Sequence, residues 1–246
     1  MFRSLIRRGQ RERGQALVEY LIVLPSLLLL ILGTIQFALV FMAKSTLDLA
    51  AFDGARNGAV NNASLSSIKE GVAEGLAPLY QKGMTGTPSL TGAVEARGLA
   101  LLAAENPLTV KITILNPSTQ AFQDFATQVP FVTPSGSVSY MQAIPNARLL
   151  YKSTTPGPNS KEDIQDANLL KVRVHYCYPL IIPLINTTIR TIMSLANAPP
   201  SSSWILTHAS YIGQDTAVWD QACYAQSGMP IEADGTALMQ SPAIQS

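Results

Sequence analysis

Between Leu21 and Ala43 the chain carries no charged side chain at all. Charge is sparse elsewhere too, at 13% Asp, Glu, Lys and Arg, and the formal sum is only +1. The basic residues that would suggest nucleic-acid binding are concentrated in the first 14 positions, so the body of the chain lacks the basic footprint such binding needs. Cysteine and histidine number two each, and their spacing fits no zinc signature. There is no glycine-rich phosphate loop, no Gly-x-Ser-x-Gly and no His-Glu-x-x-His. No catalytic residue, cofactor or resident metal is therefore expected. Proline and glycine, at 16 each, are not scarce, and they point to a loop-rich but folded body.

What is there begins with a long apolar run. Ala16 to Ala43 spans about 28 residues, roughly 42 Å as a helix, where a bilayer core of about 30 Å needs about 20 residues. Arg3, Arg7, Arg8, Arg11 and Arg13 precede it, against one acid, Glu12. That asymmetry keeps the N-terminus in the cytoplasm and sends the bulk of the chain across the membrane. Pro25 bends the span, as membrane helices tolerate. Glu19 is the odd feature, because a carboxylate at membrane depth costs about 2.5–3.5 kcal/mol or more and calls for a function.

Three readings of this start compete. A cleaved secretory signal has a shorter apolar region, and Phe41-Met42-Ala43 puts Phe where a small residue is wanted. A plain signal anchor leaves Gly14 and Glu19 unexplained. In the third, Gly14 is a backbone open to a peptidase. A cut there removes five arginines and one glutamate, leaving 12 basic against 15 acidic residues, a formal −3. It also creates an amine at Gln15, and Glu19 can pair with such an amine on its own or a neighbouring subunit, offsetting the cost of burying either charge. Against this stands simple snorkelling of Glu19 to the interface one turn away. Gly14, Gln15, Glu19 and Tyr20 resemble the processing site of the Flp/Tad branch of type IV pilins, in which a prepilin peptidase cuts after the glycine on the cytoplasmic face.

Past the run, Leu47, Ala50, Ala51, Gly54, Ala55 and Gly58 recur at helical spacing and form a narrow face of small residues. Two readings stand, a stalk packed on its own domain and a face for a partner. Asp53 and Arg56 are spaced to pair across one turn. The segment Ala50-Ala51-Phe52-Asp53-Gly54-Ala55-Arg56 after such a span looks like the TadE-like family of pilus assembly proteins. The resemblance implies a minor pilin or pseudopilin of a Tad-type pilus, in the bacterial inner membrane with a periplasmic domain. Its implied partners are other Tad pilins and pseudopilins, the inner-membrane assembly platform, the prepilin peptidase and membrane lipid. The chain is far larger than a major Flp pilin, which favours an accessory role in assembly or initiation. The rival is a membrane-anchored periplasmic binding or sensor module that owes nothing to Gly14 or Glu19.

The expected fold class is α+β, pilin-like, with a small, mainly antiparallel sheet. Residues 1–14 form the leader, 15–62 the transmembrane and stalk helix, and 63–246 the periplasmic domain. Ser67-x-x-Glu70 reads as a capping box for a helix to about Leu76. Ala93 to Ala104 reads as a second helix, Asn116-Pro117-Ser118 as a turn opening a short helix to Phe125, and Ser137 to Met141 as a weak strand. Thr109–Leu115, Leu169–Tyr178 and Ser203–Tyr211 read as strands, and the tail after them has little regular pattern. A helix over Thr187–Leu195 lies either near the membrane surface or under the sheet. Cys177 falls on the polar face of its strand, so a disulfide to Cys223 requires the tail to cross that face. Such a bridge would contribute about 3–4 kcal/mol. A Cys2His2 zinc site with His175 and His208 is the competing use of the two cysteines, and solvated strand positions are the plain reading of the histidines.

Overall fold

A computed structural model describes the backbone of residues 5–81, 90–132, 136–196 and 216–245. Helix α1 (Leu5–Val60) runs unbroken through Pro25. From Leu17 to Ile35 its apolar side chains are exposed or only half-buried on every side. Beyond Gln36 one stripe is fully buried, made by Ala43, Leu47, Ala50, Ala51, Ala55 and Ala59. The same helix is thus an isolated rod over its first half and the centre of a domain core over its second.

Small residues make that second half possible. The chain turns back through Asn62 and Ala63, both at φ 59°, into α2 (Leu65–Tyr80). The two helices then meet backbone to backbone. A Cβ at Gly54 would come within 2.5 Å of Val72 Cγ2, and one at Gly71 within 2.7 Å of the Asp53 carbonyl. A Cβ at Gly75 would run into the Ala50 backbone. The small-residue face therefore packs on the chain's own domain. Arg56 lies over the Phe52 ring, 5.7 Å from its centre, and among the described residues it makes no ion pair with Asp53. Helix α2 starts a turn earlier than the Ser67–Glu70 capping box implies, and Ser67 lies inside it. Ser64 opens the helix, and its carbonyl accepts from Ile68 N at 3.0 Å, which turns Ile68 into the core. Pro78 stands within the last turn of α2. Helix α3 (Leu90–Glu105) covers α2 with Ala96, Ala100, Ala103 and Ala104. Arg97 bridges to Glu74 at 2.6 Å along the exposed seam.

Among the described residues, two three-stranded antiparallel sheets complete the α+β fold. The first has β4 (Leu169–Pro179) between β1 (Val110–Asn116) and β5 (Gly228–Leu238). Leu170, Val172, Val174, Tyr176 and Tyr178 of β4 point into the core as their alternation requires. Each such buried aliphatic side chain contributes about 1.5–3 kcal/mol. Tyr176 donates to the Tyr80 hydroxyl at 3.2 Å, tying β4 to α2. Strand β5 lies against α1 so closely that a Cβ on Gly235 would overlap the Ala51 carbonyl. The tail is thus not irregular, since it supplies an edge strand of the main sheet and a helix described below. The segment Ser203–Tyr211 and His208 lie outside the described residues.

The second sheet pairs β2 (Thr127–Val132), β3 (Val138–Ile144) and β6 (Ala243–Ile244). Ser118 caps the short helix α4 (Thr119–Phe125) by accepting from Ala121 N at 3.1 Å. Asp124 at its end accepts from Asn159 and Ser160, including Ser160 N at 2.8 Å, and so pins the 150s loop. The last residues close on the end of α1, where the Ala59 carbonyl accepts from Gln240 N at 3.0 Å and Ser241 N at 3.1 Å.

Candidate functional site

From Leu17 to Ile35, α1 is left uncovered by the fold around it. Leu17, Val18, Leu21, Ile22 and Leu30 are each more than 60% exposed. Among the described residues one helix, Leu17–Val60, is long and apolar enough to cross a membrane. The part uncovered on every side, from Leu17 to Ile35, is about 19 residues or roughly 28 Å, and Phe37, Phe41 and Met42 extend the exposed apolar surface beyond it, enough for a hydrocarbon core of about 30 Å. Gly14 and Gln15 lie on the helical backbone just before this stretch. Glu19 and Tyr20 are exposed positions at its start, among the uncovered aliphatic residues.

Gln36 marks the place where the rod meets the domain. It is 1% exposed, and its Oε1 accepts from Ile182 N at 3.1 Å. That bond fixes the start of α5 (Pro183–Ala196) beside α1. The apolar Pro179–Ile185 stretch after β4 is therefore the link that brings the sheet back to the root of the anchor.

The polar face of the main sheet is the second feature. Helix α6 (Thr216–Ala225) lies across it, buried at Trp219, Ala222 and Cys223. Cys177 and Cys223 form a disulfide, with Cα atoms 5.6 Å apart. The tail crosses the strand face as that pairing requires. Trp219 is fully buried, donates Nε1–H to the Pro107 carbonyl at 2.7 Å and packs with Leu108, Val218 and Cys177. Its ring meets His175 at 5.7 Å, tilted by 56°. His175 is consequently not solvated, being 5% exposed. Burial pushes its imidazole below the ordinary range, against the pull of Glu232 and with help from Lys111 and Arg173. With both sulfurs oxidised, neither cysteine can serve as a zinc thiolate. No cluster of three or more His, Cys, Asp or Glu suited to a metal occurs among the described residues.

Further along the same face, Arg173 forks onto Asp234 at 2.7 and 2.9 Å, with Lys171 at 3.6 Å. The hydrogen bonds from Arg173 lower the Asp234 carboxyl, and this exceeds the opposing effect of desolvation. Arg173 and Asp234 are cross-strand partners in the register of β4 and β5. The pairing is a strand staple, and it presents no open acid or base.

Residues 14–56 match the model of the TadE family, described as TadE-like protein. The chain carries a TadE-like segment. The match opens at Gly14 and closes at Arg56, so it takes in the uncovered rod and all of the buried stripe except Ala59. The matched stretch is 43 of the 246 residues, so the likeness is to this segment of the chain. No match was found among curated proteins or among solved structures. Outside the TadE-like segment the sheet, the disulfide and α6 are read from this fold alone.

Proposed function

We propose that the chain is a minor pilin, or pseudopilin, of a Tad-type pilus. Its α1 anchors it in the bacterial inner membrane with the N-terminus cytoplasmic and the α+β domain periplasmic. A prepilin peptidase cuts after Gly14, and the new amine at Gln15 pairs with Glu19 of the same or a neighbouring subunit. Tyr20 follows Glu19 at the head of the same segment. The other Tad pilins and the inner-membrane assembly platform are the partners of this segment, and the protein acts when fibre assembly is initiated.

The single observation that carries this reading is the coincidence of the family match with the uncovered rod. The match starts at the glycine where a cut would strip the basic leader. It covers the stretch that no part of the domain buries. Glu19 lies 17 residues before the first fully buried position, Gln36, so its carboxylate contributes nothing to the domain core.

Two substitutions test the reading in cells. Gly14→Leu should leave the band unshortened in the presence of the peptidase and abolish function. Glu19→Leu should remove surface fibres by an order of magnitude or more while leaving the protein level and the melting temperature within about 1 °C of wild type. Normal piliation in both variants would contradict the proposal.

A further inference from the structure

We propose that α5 lies in the membrane interface, with its uncovered isoleucines dipped into the boundary between headgroups and acyl chains of the bilayer that α1 crosses. The inference rests on the anchoring part of the proposed function and is independent of processing at Gly14.

Three observations place it there. The first is position. The stretch of α1 that is uncovered on every side ends at Ile35, with Phe37, Phe41 and Met42 still exposed beyond it, and Gln36 holds Ile182 N at 3.1 Å. If the exposed rod fills the hydrocarbon core, the start of α5 is fixed within about one helical turn, roughly 5 Å, of the membrane surface. The second is pattern. Ile185, Ile189 and Ile192 recur within α5 at spacings of four and three, which is one helical face, and Ile181 stands just before the helix. Thr187, Thr188 and Thr191 are exposed on the remainder of the helix. The domain buries only the first isoleucine of that face. Ile185 is 7% exposed, while Ile181 and Ile192 are 63% and 60% exposed. The third is charge. The helix contains Arg190 and no acid, and no Asp or Glu occurs anywhere from Leu169 to Gln214. Nothing on this stretch repels an anionic lipid surface. A helix with a strongly apolar face, a hydroxyl-rich face and no acid is the kind that lies in the interfacial plane, its apolar face about 5–10 Å deep.

An interfacial α5 gives the domain a second foothold. The rod alone leaves the domain free to tilt and spin about α1, whereas a helix lying flat beside it sets the orientation of the sheet to the membrane.

Depth measurement on the full chain tests the proposal. The native cysteines are locked in the disulfide, so Ile192→Cys and Thr187→Cys each offer one thiol for a nitroxide label. Each labelled chain is placed in phosphatidylcholine and phosphatidylglycerol vesicles at high lipid dilution. The label at Ile192 should collide several-fold more with oxygen than with a water-soluble nickel chelate, and the label at Thr187 should show the reverse. Equal access of the chelate to both labels overturns the proposal. So does protection of Ile192 from both colliders, which means that protein rather than lipid covers the stripe. Flotation of the same vesicles reports anchoring separately. A chain that fails to float removes the anchoring reading and this inference together, while a floating chain with a wet Ile192 removes this inference alone.

Discussion

Replacing Trp219 by alanine removes the only large side chain that holds α6 to the polar face of the sheet among the described residues. Trp219 is fully buried, and a buried tryptophan hides about 150–250 Å². At about 25 cal/mol per Å² this area is worth about 4–6 kcal/mol as an upper bound. The bond to the Pro107 carbonyl adds about 1 kcal/mol. Large-to-small changes of this kind cost about 3–5 kcal/mol in practice. For a chain of this size each kcal/mol moves the melting temperature by about 2–4 °C, so Trp219→Ala should lower it by about 6–20 °C. Scanning calorimetry of the full chain in detergent micelles reads the shift directly. The cysteine pair gives an internal control. Replacing Cys177 and Cys223 by serine opens a loop closed at a separation of 46, worth about 4 kcal/mol in the chain-entropy picture. Both changes act on the same helix, so their costs should not add, and a coupling of about 0.5–3 kcal/mol is expected from the double-mutant cycle. A drop of less than about 2 °C for Trp219→Ala, or strict additivity with the cysteine changes, would refute the docking of α6.

Three further outcomes follow from the packing and the charges. Gly75→Val should cost more than about 3 kcal/mol, because even a Cβ there runs into the Ala50 backbone; a wild-type proteolysis pattern would contradict it. Gly235→Val should behave alike through the Ala51 carbonyl, so both variants should expose the α1–α2 hairpin to limited digestion. Burial depresses the His175 imidazole, so the unfolded chain takes up a proton near pH 6.5 that the folded chain resists. The stability it contributes is therefore complete above about pH 6.5 and is lost as pH falls toward the lower folded value. His175→Phe should flatten that part of the melting-temperature profile just below pH 6.5, and an unchanged slope would show that other groups cause it.

The sequence makes α1 and β4 legible for opposite reasons. The apolar run of α1 is too long for any globular use, and β4 alternates five large apolar residues against polar ones. Strand β5 alternates too, with Ile231, Ala233 and Gly235 facing in, but two of those three are small. They are small because α1 lies against that face, and small residues carry little strand signal. The same contact explains the stripe on α1, which a lone sequence reads equally as a partner face. Helix α6 has its buried residues at Trp219, Ala222 and Cys223, a spacing of three and one that is short enough to pass as tail. Strand β2 contains Pro130, which suits an edge strand paired on one side only. His175 reads as solvated because strand alternation places it opposite the core. A second layer, α6, covers that face, and nothing local to β4 announces it.

The candidate site is legible in the same uneven way. Gly14 and Glu19 stand out because a charge and a glycine interrupt patterns that have no structural use for them. Gln36 does not stand out, since a single amide in an apolar helix is unremarkable until Ile182, 146 residues later, is found bonded to it.

The most direct test is the N-terminus of the protein taken from its native membrane. Intact-mass measurement, with sequencing of the first peptide, should find a chain that begins at Gln15 and lacks the five leader arginines. A chain that still begins at Met1 in cells with an active prepilin peptidase would contradict the account.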